Sequence, residues 1–257
     1  MNILYGVIYV MYGIVFGSFY NVVIYRLPIN LSIVKRRSFC PACRTKLAAR
    51  DLIPVFSQLS LKNRCRYCHG KIAIRYPLIE LFTGFLFLLS YCLYGLGWDM
   101  FKSVILWSML LITAVIDYDH MVIMDGVLAL FSGFMIICRV LAGLSVTDIL
   151  LGGITGFGLY LVVYILAGFV YRKEAFGFGD VLLMGAVGLF LGWDKTIIAA
   201  ILSFYIALAA VAIRKLLGEK IRKKDEIPFG PFICIAAFIT SIYGEWVITF
   251  IKTLIYT

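Results

Sequence analysis

Residues 3–25 read ILYGVIYVMYGIVFGSFYNVVIY and contain no charged side chain. About 20 such residues cross the hydrocarbon core of a bilayer as a helix, so this stretch predicts a membrane span. The whole chain agrees, because 63% of its 257 residues are hydrophobic, only 15% are charged and the mean hydropathy is +0.98. A soluble domain keeps roughly a quarter of its residues charged. Composition therefore excludes a disordered chain and an ordinary soluble domain, and it predicts an all-α polytopic membrane protein.

Seven further apolar stretches predict about eight transmembrane helices in total. No basic residue and no small-residue cleavage site mark the first stretch, so we expect a retained helix rather than a signal peptide. The stretches at 103–116 and 181–193 would each be about 20 Å long as helices, against a hydrocarbon core of about 30 Å. We therefore expect residues beside both of them to lie at membrane depth. The eight stretches are 3–25, 78–96, 103–116, 121–141, 149–171, 181–193, 196–213 and 229–251.

The basic residues predict the orientation in the membrane. If the N-terminus is outside, four segments are cytoplasmic, and they hold 20 of the 24 Lys and Arg residues. The positive-inside rule predicts such an asymmetry for a multi-pass protein. The rule also accounts for the net charge of +10 without a nucleic-acid partner, since no stacking aromatic side chains are interleaved with the basic ones. The four segments are 26–76, 118–120, 172–179 and 214–226.

Two Cys-x-x-Cys pairs lie in the long cytoplasmic segment, Cys40 with Cys43 and Cys65 with Cys68. Four thiolates on two tight turns match a structural zinc site, which closes a fold too small to bury its own core. The alternatives are reduced free thiols or a pair of disulfides, and a cytoplasmic location disfavours disulfides. His69 could compete as a ligand, although four cysteines already fill a tetrahedral site. Three further cysteines lie within apolar stretches and are expected to be small buried side chains: Cys92, Cys138 and Cys234.

Two aspartates stand where apolar stretches meet the cytoplasm, Asp117 in AVIDYDH (114–120) and Asp180 in GFGD (177–180). Two carboxyl groups held close together in a low dielectric cannot both ionise, so they share a proton and divide the acid and base roles on a water molecule. Gly177 and Gly179 would let irregular backbone approach a bound peptide. The alternative is structural, because a carboxylate such as Asp180 or Asp125 is favoured at a helix N-terminus. Two more exposed neighbours are candidates for support: Asp119 and His120.

An ordered set of motifs extends over nearly the whole chain. Together these motifs resemble the type IV prepilin peptidases, also called leader peptidase and N-methyltransferase. Where that family often has Pro and Lys, this chain has Met124 and Leu182, and neither position is one of the two aspartates. The motifs are GSFYNVVIYRLP (17–28), the cysteine pairs around DLIP (51–54), RYPLIE (75–80), IDYDH (116–120), GFGD (177–180) with 188–193, and PFGP (228–231).

The resemblance implies an intramembrane aspartic endopeptidase of the bacterial cell membrane. It would remove the leader peptide of type IV prepilins and pseudopilins at the cytoplasmic face, with Asp117 and Asp180 as its catalytic pair. Many members then methylate the new N-terminal residue with S-adenosylmethionine, so this methyl donor is an expected cofactor beside structural zinc. The residues that bind it are not identified, since Gly17, Ser18 and Asn21 could serve such a site or pack the first helix. The family's metal-binding cysteines correspond to Cys40, Cys43, Cys65 and Cys68.

Three alternatives stay open. The first is a Gly-x-Gly-Asp intramembrane protease with other substrates and no methyl transfer. The second is a proton- or ion-coupled transporter, which would place its ionisable groups at the bilayer midplane rather than at one face. The third is a methyltransferase scaffold without protease activity, which the intact pair of aspartates argues against. The predicted domain order is a first transmembrane helix at 1–25, a cytoplasmic metal-binding loop at 26–77 and a transmembrane peptidase core at 78–257.

Overall fold

The computed structural model describes residues 2–34, 38–40, 42–143, 145–171, 176–218 and 227–256. Within these ranges every regular element is a helix, and eight of the nine α-helices coincide with the apolar stretches of the sequence. The prediction of an all-α membrane protein is confirmed, and the predicted number of about eight transmembrane helices is approximate, because six of the described helices are candidate membrane spans. The helices are α1 (Ile3–Arg26), α2 (Phe56–Ser60), α3 (Arg75–Tyr94), α4 (Trp98–His120), α5 (Asp125–Leu141), α6 (Val146–Tyr171), α7 (Phe178–Leu191), α8 (Trp193–Leu216) and α9 (Gly230–Tyr256).

Six helices of the described chain are long and apolar enough to cross a membrane, namely α1, α3, α4, α6, α8 and α9. The bounds predicted for the third stretch, 103–116, are wrong, because α4 continues at both ends and has 23 residues. Helix α7 remains short with 14 residues, which is about 21 Å of helix. The protein is therefore a multi-pass membrane protein in which α7 is shorter than a bilayer is thick.

The first of two compact units, Met1–Met100, is built on the contact between α1 and α3. Two glycines of α1, four residues apart, let the backbones approach closely. A Cβ atom on Gly13 would lie 2.7 Å from Cα of Gly84, and a Cβ atom on Gly17 would lie 2.7 Å from Cα of Glu80. Small residues at this spacing are typical of helix contacts in membranes.

The second compact unit, Phe101–Thr257, contains a similar contact between α6 and α7. A Cβ atom on Gly188 would collide with the carbonyl oxygen of Gly152, and one on Gly156 would collide with the carbonyl oxygen of Met184. Larger side chains at these positions would separate the two helices. We call this contact the glycine seam.

The C-terminal end of α7 is held by a buried arginine of α5. Nη1 of Arg139 donates hydrogen bonds to the carbonyl oxygens of Leu189 at 2.5 Å and Phe190 at 3.4 Å. The last carbonyls of a helix lack partners within the helix and carry a partial negative charge, so a cation is favoured there. Gly192 then ends the helix with a φ of 85°, which glycine adopts without strain.

Candidate active site and metal centre

The four cysteines of the two Cys-x-x-Cys pairs form one cluster. Their sulfur atoms all lie within 4.8 Å of one another, and Sγ of Cys40 is 3.9 Å from Sγ of Cys68. All of them are free thiols, so the disulfide alternative is wrong. His69 is outside the cluster, although its backbone N–H donates to the carbonyl oxygen of Cys65 at 2.9 Å.

The two halves of this cluster have the same backbone geometry. Cys40 N–H donates to the carbonyl of Thr45 at 3.0 Å, and Cys65 N–H donates to the carbonyl of Gly70 at 2.9 Å. The residue after the second cysteine has a positive φ in both halves, 57° at Arg44 and 56° at His69. An isolated β-bridge closes each loop, which makes them matching knuckles of the kind that bind zinc. The bridges are Phe39 to Lys46 and Arg64 to Lys71.

The thiol chemistry of the cluster fits a metal ion. Hydrogen bonds to Thr45 lower the pKa of the Cys43 thiol to about 6. At Cys68 the hydrogen bond from the Gly70 amide lowers the thiol pKa, but the neighbouring Cys43 sulfur and burial outweigh it and raise that pKa to about 11. Four sulfurs so close together cannot all ionise without a cation between them. Zinc bonded to sulfur at about 2.3 Å separates the sulfurs of a tetrahedron by about 3.8 Å, which agrees with the distance observed between Cys40 and Cys68.

Asp117 lies in the last turn of α4 and is only 5% exposed. Its Oδ2 accepts a hydrogen bond of 2.9 Å from the N–H of Gly230, the first residue of α9. A Cβ atom at position 230 would lie 2.6 Å from this oxygen. The start of α9 can therefore approach the carboxyl group only because residue 230 is a glycine.

Asp180 lies in the first turn of α7 and is 7% exposed. Its carboxyl group interacts electrostatically with that of Asp117, although the two residues are 63 positions apart in the sequence. Cys234 of α9 is close enough to interact with both carboxyl groups. The structure thus brings together the two aspartates that the sequence singled out, in a site buried among α4, α7 and α9.

An aromatic cluster adjoins the pair of aspartates. The ring of Phe229, directly before Gly230, lies 5.2 Å from Phe204, 5.3 Å from Phe176 and 6.4 Å from Tyr160 between centroids. The hydroxyl of Tyr160 shares a hydrogen bond of 2.5 Å with Ser203 and interacts electrostatically with Asp180. These rings lower the dielectric around the carboxyl groups and strengthen the interaction between them.

The structure also gives the exposure of the other residues considered from the sequence. Asp119, His120 and Asp125 are exposed, and Asp125 is in the first turn of α5. Cys138 and Cys234 are buried as expected. The expectation for Cys92 is wrong, because this cysteine is exposed on α3.

Sequence reasoning assigned no role to three buried residues that make close tertiary contacts. They are Gly230 against Asp117, Arg139 against the end of α7, and Glu80, which is buried beside Gly17. Gly230 and Glu80 lie within two of the quoted motifs, PFGP and RYPLIE. The sequence therefore marked both positions as part of the family pattern but did not indicate what their side chains contact. The only sign for Arg139 was a lone basic residue within an apolar stretch.

Comparisons with known proteins agree with the geometry. Residues 11–94 match the family described as the bacterial peptidase A24 N-terminal domain, and residues 104–213 match the type IV leader peptidase family. A prepilin leader peptidase/N-methyltransferase of Bacillus subtilis (strain 168) is 33% identical over 241 residues, which cover 93% of this chain and 94% of that protein.

Two further relatives have similar coverage. A type 4 prepilin-like proteins leader peptide-processing enzyme of Escherichia coli O78:H11 is 35% identical over 251 residues, covering 89% of this chain and 90% of the relative. A prepilin leader peptidase/N-methyltransferase of Aeromonas hydrophila is 30% identical over 267 residues, covering 94% and 92%. No solved structure gives a significant match. The resemblance seen in the motifs is confirmed, and the chain belongs to the type IV leader peptidase family.

Proposed function

We propose that this protein is an intramembrane aspartic endopeptidase that removes the leader peptide of type IV prepilins and pseudopilins, with Asp117 and Asp180 as its catalytic pair. The observation that carries the proposal is two carboxyl groups, each more than nine-tenths buried and close enough to interact electrostatically. The relatives described above are named for prepilin leader processing, and the chain covers at least nine-tenths of their length.

A pair of carboxyl groups that share one proton supplies the acid and the base that peptide hydrolysis needs. The ionised carboxylate takes a proton from water while the water oxygen adds to the scissile carbonyl carbon, and the protonated partner donates its proton to the carbonyl oxygen. When the tetrahedral intermediate collapses, the C–N bond breaks, the leaving amine takes the proton that the first carboxylate had removed from water, and a hydroxyl of the intermediate returns its proton to the partner carboxylate. The hydrogen bond from Gly230 keeps Asp117 in a fixed orientation during these steps.

The place of the aspartates in their helices suits a prepilin. Asp117 is in the last turn of α4 and Asp180 is in the first turn of α7. A prepilin is cleaved where a polar leader meets an apolar helix, so carboxyl groups near helix ends would meet that junction. The excess of basic residues in four segments supports an N-terminus outside the cell membrane and an active site that faces the cytoplasm.

The four clustered cysteines are proposed to hold one structural zinc ion, which would tie the two knuckles together. Several relatives are named as N-methyltransferases as well as leader peptidases. We extend the proposal to methylation of the new N-terminal amine, for which S-adenosylmethionine supplies an electrophilic methyl group when bound. The protein must then bind this donor and allow the amine to lose a proton.

The decisive experiment replaces each aspartate by asparagine. Purified Asp117→Asn and Asp180→Asn proteins are incubated in detergent with a prepilin-like substrate, and the N-terminus of the product is read by mass spectrometry. We expect cleavage to fall by about 10³-fold or more, because an amide can neither activate water nor hold the shared proton.

The matched control is Asp125→Asn, which makes the same change at an exposed position. Its cleavage rate should stay close to that of the parent protein. Bound metal and the thermal midpoint show that each variant is folded. Normal cleavage by either Asp117→Asn or Asp180→Asn would refute the catalytic pair.

The orientation is tested separately with reporter fusions. Fusions after Gly97 and after Ile255 should be external, and fusions after Arg50 and after Gly218 should be cytoplasmic. The opposite pattern would place the active site outside the cell and contradict the proposed substrate face.

A further inference from the structure

A run of exposed apolar side chains lies in the segment between the two knuckles. Four of the eight residues from 52 to 59 are large, apolar and exposed, and Phe56 and Leu59 of α2 are 69% and 65% exposed. Proteins that face water rarely leave so many neighbouring apolar side chains uncovered. We call this surface the apolar edge, and its residues are Leu52, Ile53, Phe56 and Leu59.

A hydrogen bond to α3 fixes how deep this segment lies. The backbone N–H of Val55 donates to Oε2 of Glu80 at 2.7 Å, and Glu80 is five residues past Arg75, the first residue of α3. Five residues of helix are about 7.5 Å long, and all of α3 is about as long as the hydrocarbon core is thick. Glu80 therefore lies below the membrane surface, and the apolar edge is held close to the same level.

The backbone of the segment has the hydrogen bonds that such a depth requires. The N–H of Ser57 donates to the carbonyl of Ile53 at 3.1 Å, and the N–H of Leu59 donates to the carbonyl of Val55 at 3.0 Å. Val55 and Ser57 are themselves buried. Irregular backbone is tolerated at membrane depth only where it is packed against protein and its polar groups are paired. The segment meets this condition, and its exposed side chains are the apolar ones.

The charged residues around the apolar edge are almost all basic. Residues 26–76 hold twelve Lys and Arg residues and one acidic residue, Asp51, which forms an ion pair of 2.7 Å with Arg66. Arg50 and Lys62, which flank the apolar edge in the sequence, are exposed. The positive-inside rule accounts for the side of the membrane on which basic residues lie, but not for the exposed apolar side chains between them. Basic residues beside an apolar surface are typical of segments that lie in the interface of an anionic membrane.

We propose that the apolar edge inserts into the cytoplasmic leaflet and that Arg50 and Lys62 bind the phosphate groups of its anionic phospholipids. The inference rests on the proposed orientation, which puts residues 26–76 on the cytoplasmic side. Interfacial segments bury their apolar face by about 5–10 Å, which is the depth set by the hydrogen bond between Val55 and Glu80. The loop that carries the cysteine cluster is then anchored at its two ends by α1 and α3 and in its middle by lipid.

The first test locates the apolar edge by photocrosslinking. The photoreactive amino acid p-benzoylphenylalanine is placed at position 56 of the full-length, metal-loaded protein, which is reconstituted in vesicles of phosphatidylglycerol and phosphatidylcholine and irradiated. We expect the probe to react with phospholipid acyl chains, as read by mass spectrometry of the digested protein. The matched control carries the same probe in place of Lys46, an exposed residue of the first knuckle, where we expect the lipid adducts to be lost.

Three outcomes of this experiment would refute the lipid anchor. An absence of lipid adducts at position 56 would show that the apolar edge does not reach the acyl chains. Crosslinks from position 56 to another protein would show that the surface belongs to a protein partner. Equal numbers of lipid adducts at positions 46 and 56 would show that the apolar edge has no special place in the membrane.

The second test measures the preference for anionic lipid. Purified protein is mixed with equal concentrations of phosphatidylglycerol and phosphatidylcholine, and the lipids that it retains are counted by native mass spectrometry. Arg50→Gln combined with Lys62→Gln should lower the preference for phosphatidylglycerol about tenfold, because basic residues near a lipid surface attract anionic headgroups. Lys252→Gln removes an exposed charge in α9 and should leave the preference unchanged. Equal retention of both lipids by the parent protein would refute the role of the two basic residues.

Phe56→Ser combined with Leu59→Ser separates lipid contact from folding of the loop. Both side chains are exposed, so bound metal and the thermal midpoint in detergent should stay close to those of the parent protein, while the retained phosphatidylglycerol falls several-fold. Unchanged lipid retention by this variant would refute the contact. Leader cleavage in detergent should match that of the parent protein. The aspartate variants and the reporter fusions test the peptidase and its orientation separately, so failure of this inference leaves both standing.

Discussion

The cysteine cluster and the aspartate pair are assembled in different ways. Each half of the cluster is a local loop, in which a cysteine N–H reaches a carbonyl five residues later. The aspartates come from α4 and α7 and are neighbours because both helices reach the start of α9. A site of local loops withstands changes elsewhere and fails when a ligand is lost. A site made by helix packing also loses activity when a residue that only packs the helices, and takes no part in the reaction, is changed.

The largest effect is expected from Cys65→Ser. Binding free energies of structural zinc are on the order of 10 kcal/mol, and binding is coupled to folding of the loop. We expect the proposed zinc ion to be lost, proteolysis within residues 26–76 to become faster and product formation to fall. Metal analysis, limited proteolysis and mass spectrometry of the product measure these changes. Cys92→Ser, at an exposed position outside the cluster, should retain the metal, and full metal content in Cys65→Ser would contradict the four-cysteine site.

The next effect tests whether helix packing alone sustains the aspartate pair. Gly230→Ala places a methyl group 2.6 Å from Oδ2 of Asp117, which must displace either the carboxyl group or the start of α9. We expect kcat/KM for leader cleavage to fall about 100-fold, or about 3 kcal/mol of transition-state stabilisation. Bound metal should be unchanged. Gly158→Ala is the matched control, since nothing lies within 4 Å of a Cβ atom there, and a variant at position 230 with full activity would show that this contact is not needed.

A smaller effect is expected where α7 is held at its far end. Arg139→Met leaves the carbonyl groups of Leu189 and Phe190 without their donor, which costs roughly 1–3 kcal/mol. The thermal midpoint should fall and cleavage should decrease several-fold, although Arg139 does not belong to the aspartate site. Arg139→Lys keeps the positive charge and should recover part of both losses. Equal stability of the methionine variant and the parent protein would mean that the glycine seam alone fixes α7.

The smallest effect is expected in the knuckle region away from the sulfurs. Arg66, Tyr67 and the Ala48 N–H all donate to Asp51, and the bond from Arg66 is the main reason that its carboxyl pKa lies below the ordinary 3.8. A partly exposed pair of this kind contributes about 1 kcal/mol or less. We expect Asp51→Asn to lower the thermal midpoint slightly at pH 7. A double-mutant cycle with Arg66→Met measures the coupling energy between Asp51 and Arg66. A coupling energy near zero would show that this ion pair does not stabilise the loop.

The difference between a site of local loops and a site made by helix packing explains what could be predicted from the sequence. Spacing alone identified Cys40, Cys43, Cys65 and Cys68, because a Cys-x-x-Cys knuckle is decided within a few residues. The apolar stretches predicted where the helices lie. The stretch predicted for α4 was shorter than the helix, because Asp117 and the polar residues after it continue the helix.

The tertiary contacts could not be predicted in this way. Nothing in the local pattern indicates that residue 230 must be a glycine beside Asp117, or that Arg139 binds the end of a helix 50 residues later. Asp117 and Asp180 were paired because both stand where an apolar stretch meets the cytoplasm, and only the resemblance to a family favoured catalysis over a structural role at the helix ends.

The glycine seam has a consequence for how the chain enters the membrane. A helix of 14 residues presents too little apolar length to be inserted as an independent span. Helix α6 has 26 residues and can insert first, after which the seam gives α7 a surface that lipid cannot offer. We therefore expect the two helices to enter as a hairpin, in which α6 carries α7 and Asp180 to their final depth. A bulky residue at Gly152 or Gly188 would then act during biogenesis, as a failure of insertion and not as a defect of the mature enzyme.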